Sequence, residues 1–430
     1  MHHISSSTTV NGESAISELI EPASQGSSAY PPSVQSGVPK LRLTPSGWCK
    51  VPLGKHLHEV RRPIKLDLDR EYTLVTVKRS RGGVEKRELL RGSEIMTPSQ
   101  FLIREGDFLI SKRMIVHGAC GTVPRELDGA IVSNEYAVIA SDGEIDLRFL
   151  SYLAATKYFQ QTCFHSSIGV HVEKMIFRVE QWLKWPFNIP PLSTQRQIHQ
   201  LFDTWEEAIA TSEALLASAN AEKRALMSLL LPPRHSSDWK RYEWQRVSIG
   251  DLAHVDSESL PATTDASFSF RYISLADINA GKISSRLRTF VFSEAPSRAR
   301  RIVNPGDILM STVRPNLHGH ARLTGTHEGC IASTGFAVIS ASDNVNANYL
   351  YQYLFSDDIQ RQVNALVTGS NYPAINSSDL RELQVSVPNK LRQDSVAKLL
   401  TIQDTRIEAL RSQVAALLLE KEALMQRLFL

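Results

Sequence analysis

The apolar positions of this chain follow two alternating rhythms. Tyr72-Thr73-Leu74-Val75-Thr76-Val77 and residues 107–110 and 136–139 are short β-branched or aromatic segments bounded by Gly, Pro, Asn or Asp, and they predict strands of a compact α/β domain. Residues 146–161 carry apolar side chains at helical spacing just after turn formers, which predicts one helix packed on those strands. Beyond Pro190-Pro191 the spacing lengthens. Ser193 is placed to cap a long helix, and Ile198, Leu201, Trp205, Ala208, Ile209, Leu215, Leu216, Leu226 and Leu229 form one stripe until Pro232-Pro233 stops it. The succession then starts again. Tyr272-Ile273-Ser274-Leu275 and residues 336–339 predict strands, and residues 346–364 a packed helix. Val396, Leu399, Leu400, Ile407, Leu410, Val414, Leu417, Leu424 and Leu428 form a second long stripe, with Arg392, Lys398, Arg406, Glu408, Arg411 and Glu420 mostly outside it.

The two halves match residue by residue. Arg104-Glu105-Gly106-Asp107-Phe108-Leu109-Ile110-Ser111 aligns with Asn304-Pro305-Gly306-Asp307-Ile308-Leu309-Met310-Ser311 at an offset of 200, and the offset holds without a gap over about 45 positions. Later it becomes 198, with Pro190 on Pro388, Gln195 on Gln393, Ile209 on Ile407, and Lys223-x-x-Leu226-Met227 on Lys421-x-x-Leu424-Met425. At the front, Trp48-x-x-Val51-x-Leu53-Gly54 meets Trp244-x-x-Val247-x-Ile249-Gly250 at 196. Shared order with a drifting offset indicates duplicated domains with loop insertions, because solenoid repeats run at periods of roughly 20 to 50 residues.

Roughly four to five heptads of a/d-like positions in each long stripe argue for a coiled-coil seam. At 1.5 Å per residue, about 35 residues extend roughly 50 Å, longer than a small domain is wide; a helix lying along its own domain is the alternative. The predicted fold is α+β: two tandem repeated α/β domains separated by two long antiparallel coiled-coil helices, in a pseudo-two-fold arrangement. The expected segments are a disordered leader over residues 1–46, a first domain over 47–190, a spacer helix over 191–233, a second domain over 234–388 and a second spacer helix over 389–430. The leader is expected to be disordered because 14 Ser or Thr and five Pro leave little apolar surface to offset the ordering entropy.

Composition narrows the partners. With 48 Lys and Arg against 45 Asp and Glu in 430 residues, the net charge of +3 excludes a polybasic protein, so contact with nucleic acid requires local basic patches. Cys49, Cys120, Cys163 and Cys330 form no C-x-x-C pair, which points away from a zinc ribbon or disulfide scaffold and towards a reducing cytoplasm. The sequence shows neither a signal-peptide pattern nor a stretch of about 18 apolar residues, so neither export nor a membrane span is expected.

This organisation resembles the specificity (S) subunit of type I restriction-modification systems over residues 47–430. The matching residues are Trp48 and Trp244 opening each domain, Gly106-Asp107 and Gly306-Asp307 at the strand start, Pro190-Pro191-Leu192 to Gln195 and Pro388 to Gln393 at the helix start, and the Lys-x-x-Leu-Met helix ends. Two departures concern partner contacts: the family usually has Glu before the Gln, where this chain has Thr194 and Arg392, and usually lacks the leader. The resemblance implies a subunit that is not an enzyme and holds no cofactor. It implies docking of two methyltransferase (M) subunits, and of restriction (R) subunits in the restricting complex, which carry out N6-adenine methylation or cleavage. Each domain would be a target recognition domain reading half of a two-part site in double-stranded DNA. Two heads on a rigid spacer read half-sites at a fixed separation, and heads that diverge outside their framework imply an asymmetric, gapped target.

Candidate DNA-binding residues come in matched groups. In the first head, Lys78, Arg79, Arg81, Lys86, Arg87 and Arg91 surround Gly82-Gly83, with Glu85 and Glu88 as the only acids of the run, a pattern for a flexible phosphate-gripping loop. In the second, Arg286, Arg288, Arg298, Arg300 and Arg301 stand against Glu294 at the corresponding place. A solvated basic face is the other reading of either run. After the Gly-Asp strand, Lys112-Arg113 and Arg314-Pro315-Asn316 leave each head at matched positions, and Arg and Asn suit bidentate contacts to guanine and adenine edges. Ser166-Ser167-Ile168-Gly169 and Thr368-Gly369-Ser370-Asn371-Tyr372 are small, polar segments suited to a close backbone approach or to a plain loop.

Enzyme signatures are missing from the sequence. Gly281-Lys282 and Gly54-Lys55 lack the remainder of a phosphate loop, and no Pro-Pro pair here follows Asn or Asp as an adenine methyltransferase requires. Asp238-Trp239-Lys240 falls in the linker, and His56-x-His58 and His318-x-His320 lack a completing ligand set, so the histidines read as surface or DNA-facing groups and no metal is expected. His165 beside Ser166 lacks a third group to orient a base. Two other classes stay open: a coiled-coil scaffold whose heads bind protein, and an enzyme with an unrecognised site.

Overall fold

A computed structural model describes residues 37–231, 244–279, 281–367 and 373–429. The leader before residue 37, the Pro232-Pro233 and Asp238-Trp239-Lys240 linker, and the Thr368 to Tyr372 segment lie outside the described residues. The chain divides into two compact units, one running to Ser212 and taking in Gln413–Leu430, the other spanning Glu213–Ser412.

The first unit holds strands β1 (Cys49–Pro52), β2 (Leu57–Val60), β3 (Pro63–Ile64), β4 (Glu71–Val77), β5 (Val84–Arg91), β6 (Gln100–Leu102), β7 (Phe108–Ser111), β8 (Cys120–Thr122), β9 (Ile131–Ser133), β10 (Tyr136–Ser141), β11 (Ser167–Ile168), β12 (Ile176–Phe177) and β13 (Pro186–Ile189). A five-stranded sheet runs β3-β6-β9-β4-β5 and a four-stranded sheet runs β2-β10-β7-β8. The period of two sorts one strand into two cores. Phe108 and Ile110 of β7 face a core with Ala137, Ile139, Phe149 and Trp182, while Leu109 faces Val75, Val132 and Val138 between the sheets. A strand covered on both faces reads as a continuous apolar run, as β7 does.

The helical part of this head corrects the expected single helix. Two helices occur, α1 (Leu147–Leu153) and α2 (Lys157–His165), because Asp146 caps the first and Thr156 starts the second by accepting the Phe159 N–H. A short α3 (Val179–Trp182) follows. Then α4 (Leu192–Leu230) begins one residue before the expected cap: Ser193 lies inside it, and the Pro191 carbonyl accepts the Gln195 N–H. Residues 37–46, assigned to the leader by composition, run along the head. The Asn188 amide donates to the Arg42 carbonyl at 3.2 Å and accepts the Thr44 hydroxyl at 2.9 Å, so specific hydrogen bonds hold what apolar burial does not.

The second unit repeats the plan with β14 (Gln245–Ser248), β15 (Ala253–Val255), β16 (Ser269–Ile273), β17 (Ile278–Asn279), β18 (Lys282–Ile283), β19 (Arg288–Val291), β20 (Ala299–Ile302), β21 (Ile308–Ser311), β22 (Ala321–Arg322), β23 (Cys330–Ser333), β24 (Phe336–Ala341) and β25 (Gln384–Val387). Its sheets run β15-β24-β21-β22 and β19-β16-β23-β20. As β4 lies parallel to β9 in the first head, β16 lies parallel to β23 here. Ile308, Met310, Ala337 and Ile339 again face the helices, and Leu309 and Val338 the other core. After α5 (Ile249–Leu252) the single-helix expectation fails in the same way: Ser356 separates α6 (Ala347–Tyr353) from α7 (Asp357–Leu366) by accepting the Ile359 N–H. Then come α8 (Ser377–Glu382) and the long α9 (Lys390–Phe429), whose start is capped by Asn389 through the Arg392 N–H.

Each unit contains a stretch of antiparallel helix pair. In the first, Ile198 and Phe202 of α4 share a core with Leu424, Met425, Leu428 and Phe429 of α9, and Lys421 meets Glu206 at 2.7 Å. In the second, Met227 and Leu230 pack with Val396, Ala397 and Leu400, and Lys223 meets Asp404 at 2.6 Å. Lys223 and Lys421 are repeat equivalents, as are Glu206 and Asp404, so the duplication conserves the ion pair along with the seam.

Candidate nucleic-acid interface

Residues 78–91 form a closed hairpin. Val84–Arg91 is the edge strand β5, paired to β4 with a bulge at Leu74 and Val75, and the Lys78 N–H donates to the Gly83 carbonyl at 3.0 Å. The loop expected around Gly82-Gly83 is the turn of this hairpin and carries Lys78, Arg79 and Arg81, while Lys86, Arg87 and Arg91 lie along the paired edge strand. All six basic side chains are exposed, but they are not equally available. Lys78 meets Glu85 at 2.7 Å, Arg87 donates to Glu88 at 2.7 Å, and Arg79 lies 3.9 Å from Glu173. Arg81, Lys86 and Arg91 make no ion pair among the described residues. Ser80 and Arg81 stand out further through their left-handed backbone, with φ of 55° and 62°.

Lys112 and Arg113 are committed locally. Lys112 meets Glu59 at 3.1 Å, and Arg113 grips Glu135 through two nitrogens. In the second head Arg301 meets buried Asp256 at 2.9 Å, while Arg288 and Arg300 lie over the rings of Phe290 and Phe292 at 5.5 and 4.7 Å. Arg286 and Arg298 are exposed without an ion pair among the described residues.

Arg314 and Asn316 occupy the turn between β21 and β22, both exposed. The Arg314 N–H donates to the Pro373 carbonyl at 2.7 Å, and both Arg314 and His318 are left-handed, with φ of 49° and 52°. His318 stacks on Phe355 at 5.9 Å and 28°. The expectation of two DNA-facing histidines is half corrected, because His320 is 1% exposed, accepts the Ser311 N–H on Nδ1 and stays neutral, burial pushing its pKa down to about 3. No pattern in the sequence separated these two histidines: both rings pack on Phe355, and only the deeper burial of His320 sets them apart.

Ser166 and Ser167 are also unavailable. Both are buried, Ser166 accepting the Trp185 indole N–H at 3.0 Å and Ser167 donating to the Cys163 carbonyl at 2.8 Å. Burial pushes the Cys120 thiol up to about 12 and the Cys163 thiol up as well, so neither is a nucleophile. Among the described residues no group of three His, Cys, Asp or Glu is placed to hold a metal ion, and no helix is long and apolar enough to cross a membrane.

Comparison with known proteins gives a consistent picture. Residues 242–417 match the family described as type I restriction modification DNA specificity domain. The specificity subunit of the type I restriction enzyme MjaVIII from Methanocaldococcus jannaschii is 22% identical over 259 residues, which cover 56% of this chain and 60% of that protein. The HindI specificity subunit from Haemophilus influenzae is 26% identical over 182 residues, covering 40% and 36% of the two chains. The matches thus span about three fifths and about one third of these relatives' lengths. The solved type I restriction-modification S subunit of M. genitalium has the same fold, with a TM-score of 0.57, 13% identity and coverage of 92% of this chain and 99% of that one. A chain from a structure of type I restriction-modification complex assembly aligns with a TM-score of 0.55, 18% identity and coverage of 90% and 99%.

Proposed function

Because residues 242–417 match the type I restriction modification DNA specificity domain, we propose that this protein is the sequence-specificity subunit of a type I complex. Its target recognition domains over residues 47–190 and 234–388 each read one half of an asymmetric, gapped site in double-stranded DNA. The spacer helices over residues 191–233 and 389–430 dock two methyltransferase subunits and, in a restricting complex, restriction subunits. The chain itself is non-catalytic, takes no cofactor and works in the cytoplasm. The observation that carries this reading is the duplicated junction in which Gln195 and Gln393, both buried, each tie a long helix to its own head. A reader of divided sites requires heads that do not swivel on their support.

The experiment is co-expression with the methyltransferase subunit, followed by sequencing of host DNA for methylated adenines. A gapped, asymmetric motif that vanishes when this chain is omitted is the expected result. Co-purification without any motif supports the scaffold reading instead. DNA binding by the complex should weaken log-linearly with salt, since lysine and arginine contacts release phosphate counterions; salt-independent binding contradicts the proposal.

A further inference from the structure

We infer that the two heads read bases with different turns: head 1 with Ser80 and Arg81 at the tip of the β4–β5 hairpin, head 2 with Asn316 and Leu317 at the tip of the β21–β22 turn. This rests on the proposed DNA-reading role and assigns it to particular side chains.

Five non-glycine residues among those described have left-handed φ: Ser80, Arg81, Asp256, Arg314 and His318. Such positions persist only where the surroundings over-determine them, and they concentrate at functional sites. Asp256 has a structural explanation, since its buried carboxylate holds Arg301, the Ser377 hydroxyl and the Val338 N–H. Ser80 and Arg81 lie against, and Arg314 and His318 bracket, the same element of the repeat.

That element is a single 3-10 turn after the central strand. In head 1 it is Ile115–His117, ended by Gly118 at φ 77°; in head 2 it is Pro315–Leu317, ended by His318 at φ 52°, at the repeat offset of 200. In head 1 the turn is apolar and hidden, with Ile115 and Val116 at 0% and 2% exposure. The β4–β5 hairpin lies on it: the Ser80 N–H donates to the His117 carbonyl at 2.8 Å and the Arg81 N–H to the Gly118 carbonyl at 2.9 Å. Gly118 supplies the left-handed φ of 77° on which the turn ends, and the backbone of Ser80 and Arg81 lies in van der Waals contact beside it. The surface at this point in head 1 is therefore Ser80 and Arg81.

In head 2 the connection from β16 to β19 is longer and turns elsewhere. Its β17–β18 hairpin places Gly281 against the Tyr351 hydroxyl and sends Lys282 to Glu408 at 2.6 Å. Among the described residues the tip of the 3-10 turn is open, with Asn316 exposed and Leu317 68% exposed. His318 replaces the glycine and stacks on Phe355, so it acts as a positioning residue for the tip. An arginine fork fits the O6 and N7 acceptors of guanine, asparagine fits N6 and N7 of adenine, and an exposed aliphatic tip fits the thymine methyl. Head 1 should require a guanine and head 2 an adenine next to a thymine.

The test compares full-length Arg81→Ala, Asn316→Ala and Leu317→Ala, each assembled with the methyltransferase subunit. Methylated-adenine sequencing gives each motif, and competition with duplexes carrying every single-base change of the parental motif gives discrimination even where methylation is lost. Arg81→Ala should lose roughly 5- to 150-fold discrimination at one guanine of one half-site, and the Asn316 and Leu317 variants should lose theirs only in the other. Thermal unfolding should be unchanged, since all three side chains are exposed. Unaltered motif and discrimination in the variants, or relaxation of the same half-site by both tips, overturns the assignment. A parental chain that yields no motif instead defeats the DNA-reading role itself, and this inference with it.

Discussion

Gln195 accepts the backbone N–H of Asp146 on Oε1 at 2.8 Å while its Nε2 donates to the carbonyls of Glu144 and Pro190, both at 2.9 Å. Gln393 repeats the pattern, accepting from the Asn346 N–H and donating to the Pro388 carbonyl, both at 2.9 Å. One amide thus caps the loop before the first head helix and closes the turn into the long helix. Only a side chain with adjacent donor and acceptor can do both.

Replacing either glutamine by alanine leaves buried backbone groups unpaired, and about 2–3 kcal/mol of unfolding free energy should be lost. Glutamate keeps the acceptor but cannot donate when ionised, so Gln195→Glu should destabilise at neutral pH as well. Urea unfolding of the two single variants measures this; losses below about 0.5 kcal/mol contradict the bridging role.

Asp107 and Asp307 occupy the same repeat position with different partners. Both accept a backbone N–H across their turn, from Arg104 and Asn304, at 2.8 Å. Asp107 also receives both arms of Arg62, at 2.6 and 3.0 Å, with its side chain 7% exposed. Asp107→Asn should therefore cost about 1–3 kcal/mol more than Asp307→Asn, since it breaks a charge-assisted, bidentate pair. Equal midpoints in urea would show the arginine to be idle.

The buried His320 predicts a pH dependence. Its folded pKa, about 3, lies below its ordinary value of 6.5. The unfolded chain therefore takes up the proton first, so the contribution is intact above about pH 6.5 and is lost as pH falls from there towards 3. His318, also pushed down by burial, acts in the same direction. His320→Asn keeps an acceptor for the Ser311 N–H without titrating. The gap between parent and variant should shift by up to about 1.4 kcal/mol per pH unit between pH 6.5 and 4.5; a constant gap would mean that His320 titrates normally.

The two conserved helix ion pairs should differ in weight. Lys223 is 17% exposed and also lies 5.6 Å over the Phe355 ring, whereas Lys421 pairs with the half-exposed Glu206. Lys223→Ala should cost about 1–2 kcal/mol and Lys421→Ala about 0.5 kcal/mol. Double-mutant cycles with Asp404→Ala and Glu206→Ala separate the ion pairs from the ring contact.

The repeat, the strand segments and both long helices were legible in the sequence because each rests on local periodicity or on residues that recur at one offset. Gln195 was legible as a matched position, though its task was not. The split of each head's helical segment was missed because Thr156 and Ser356 act as caps only in a chain already turned back on its sheet. The binding residues were the least legible, because a run of charges shows which groups exist and not which acids stand beside them. Lys78, Arg87, Lys112, Arg113 and Arg301 are met by Glu85, Glu88, Glu59, Glu135 and Asp256, and four of those acids lie on the neighbouring strand or farther along the chain.

The sequence by itself determined a duplicated α+β chain with two long amphipathic helices, since hydrophobic period and internal repetition are properties of order alone. Tertiary structure decided which basic side chains remain unpaired, which histidine is buried and which turn each head presents. Those outcomes depend on charge compensation and packing between segments far apart in the chain, such as the hairpin of residues 78–83 lying on the turn that ends at Gly118.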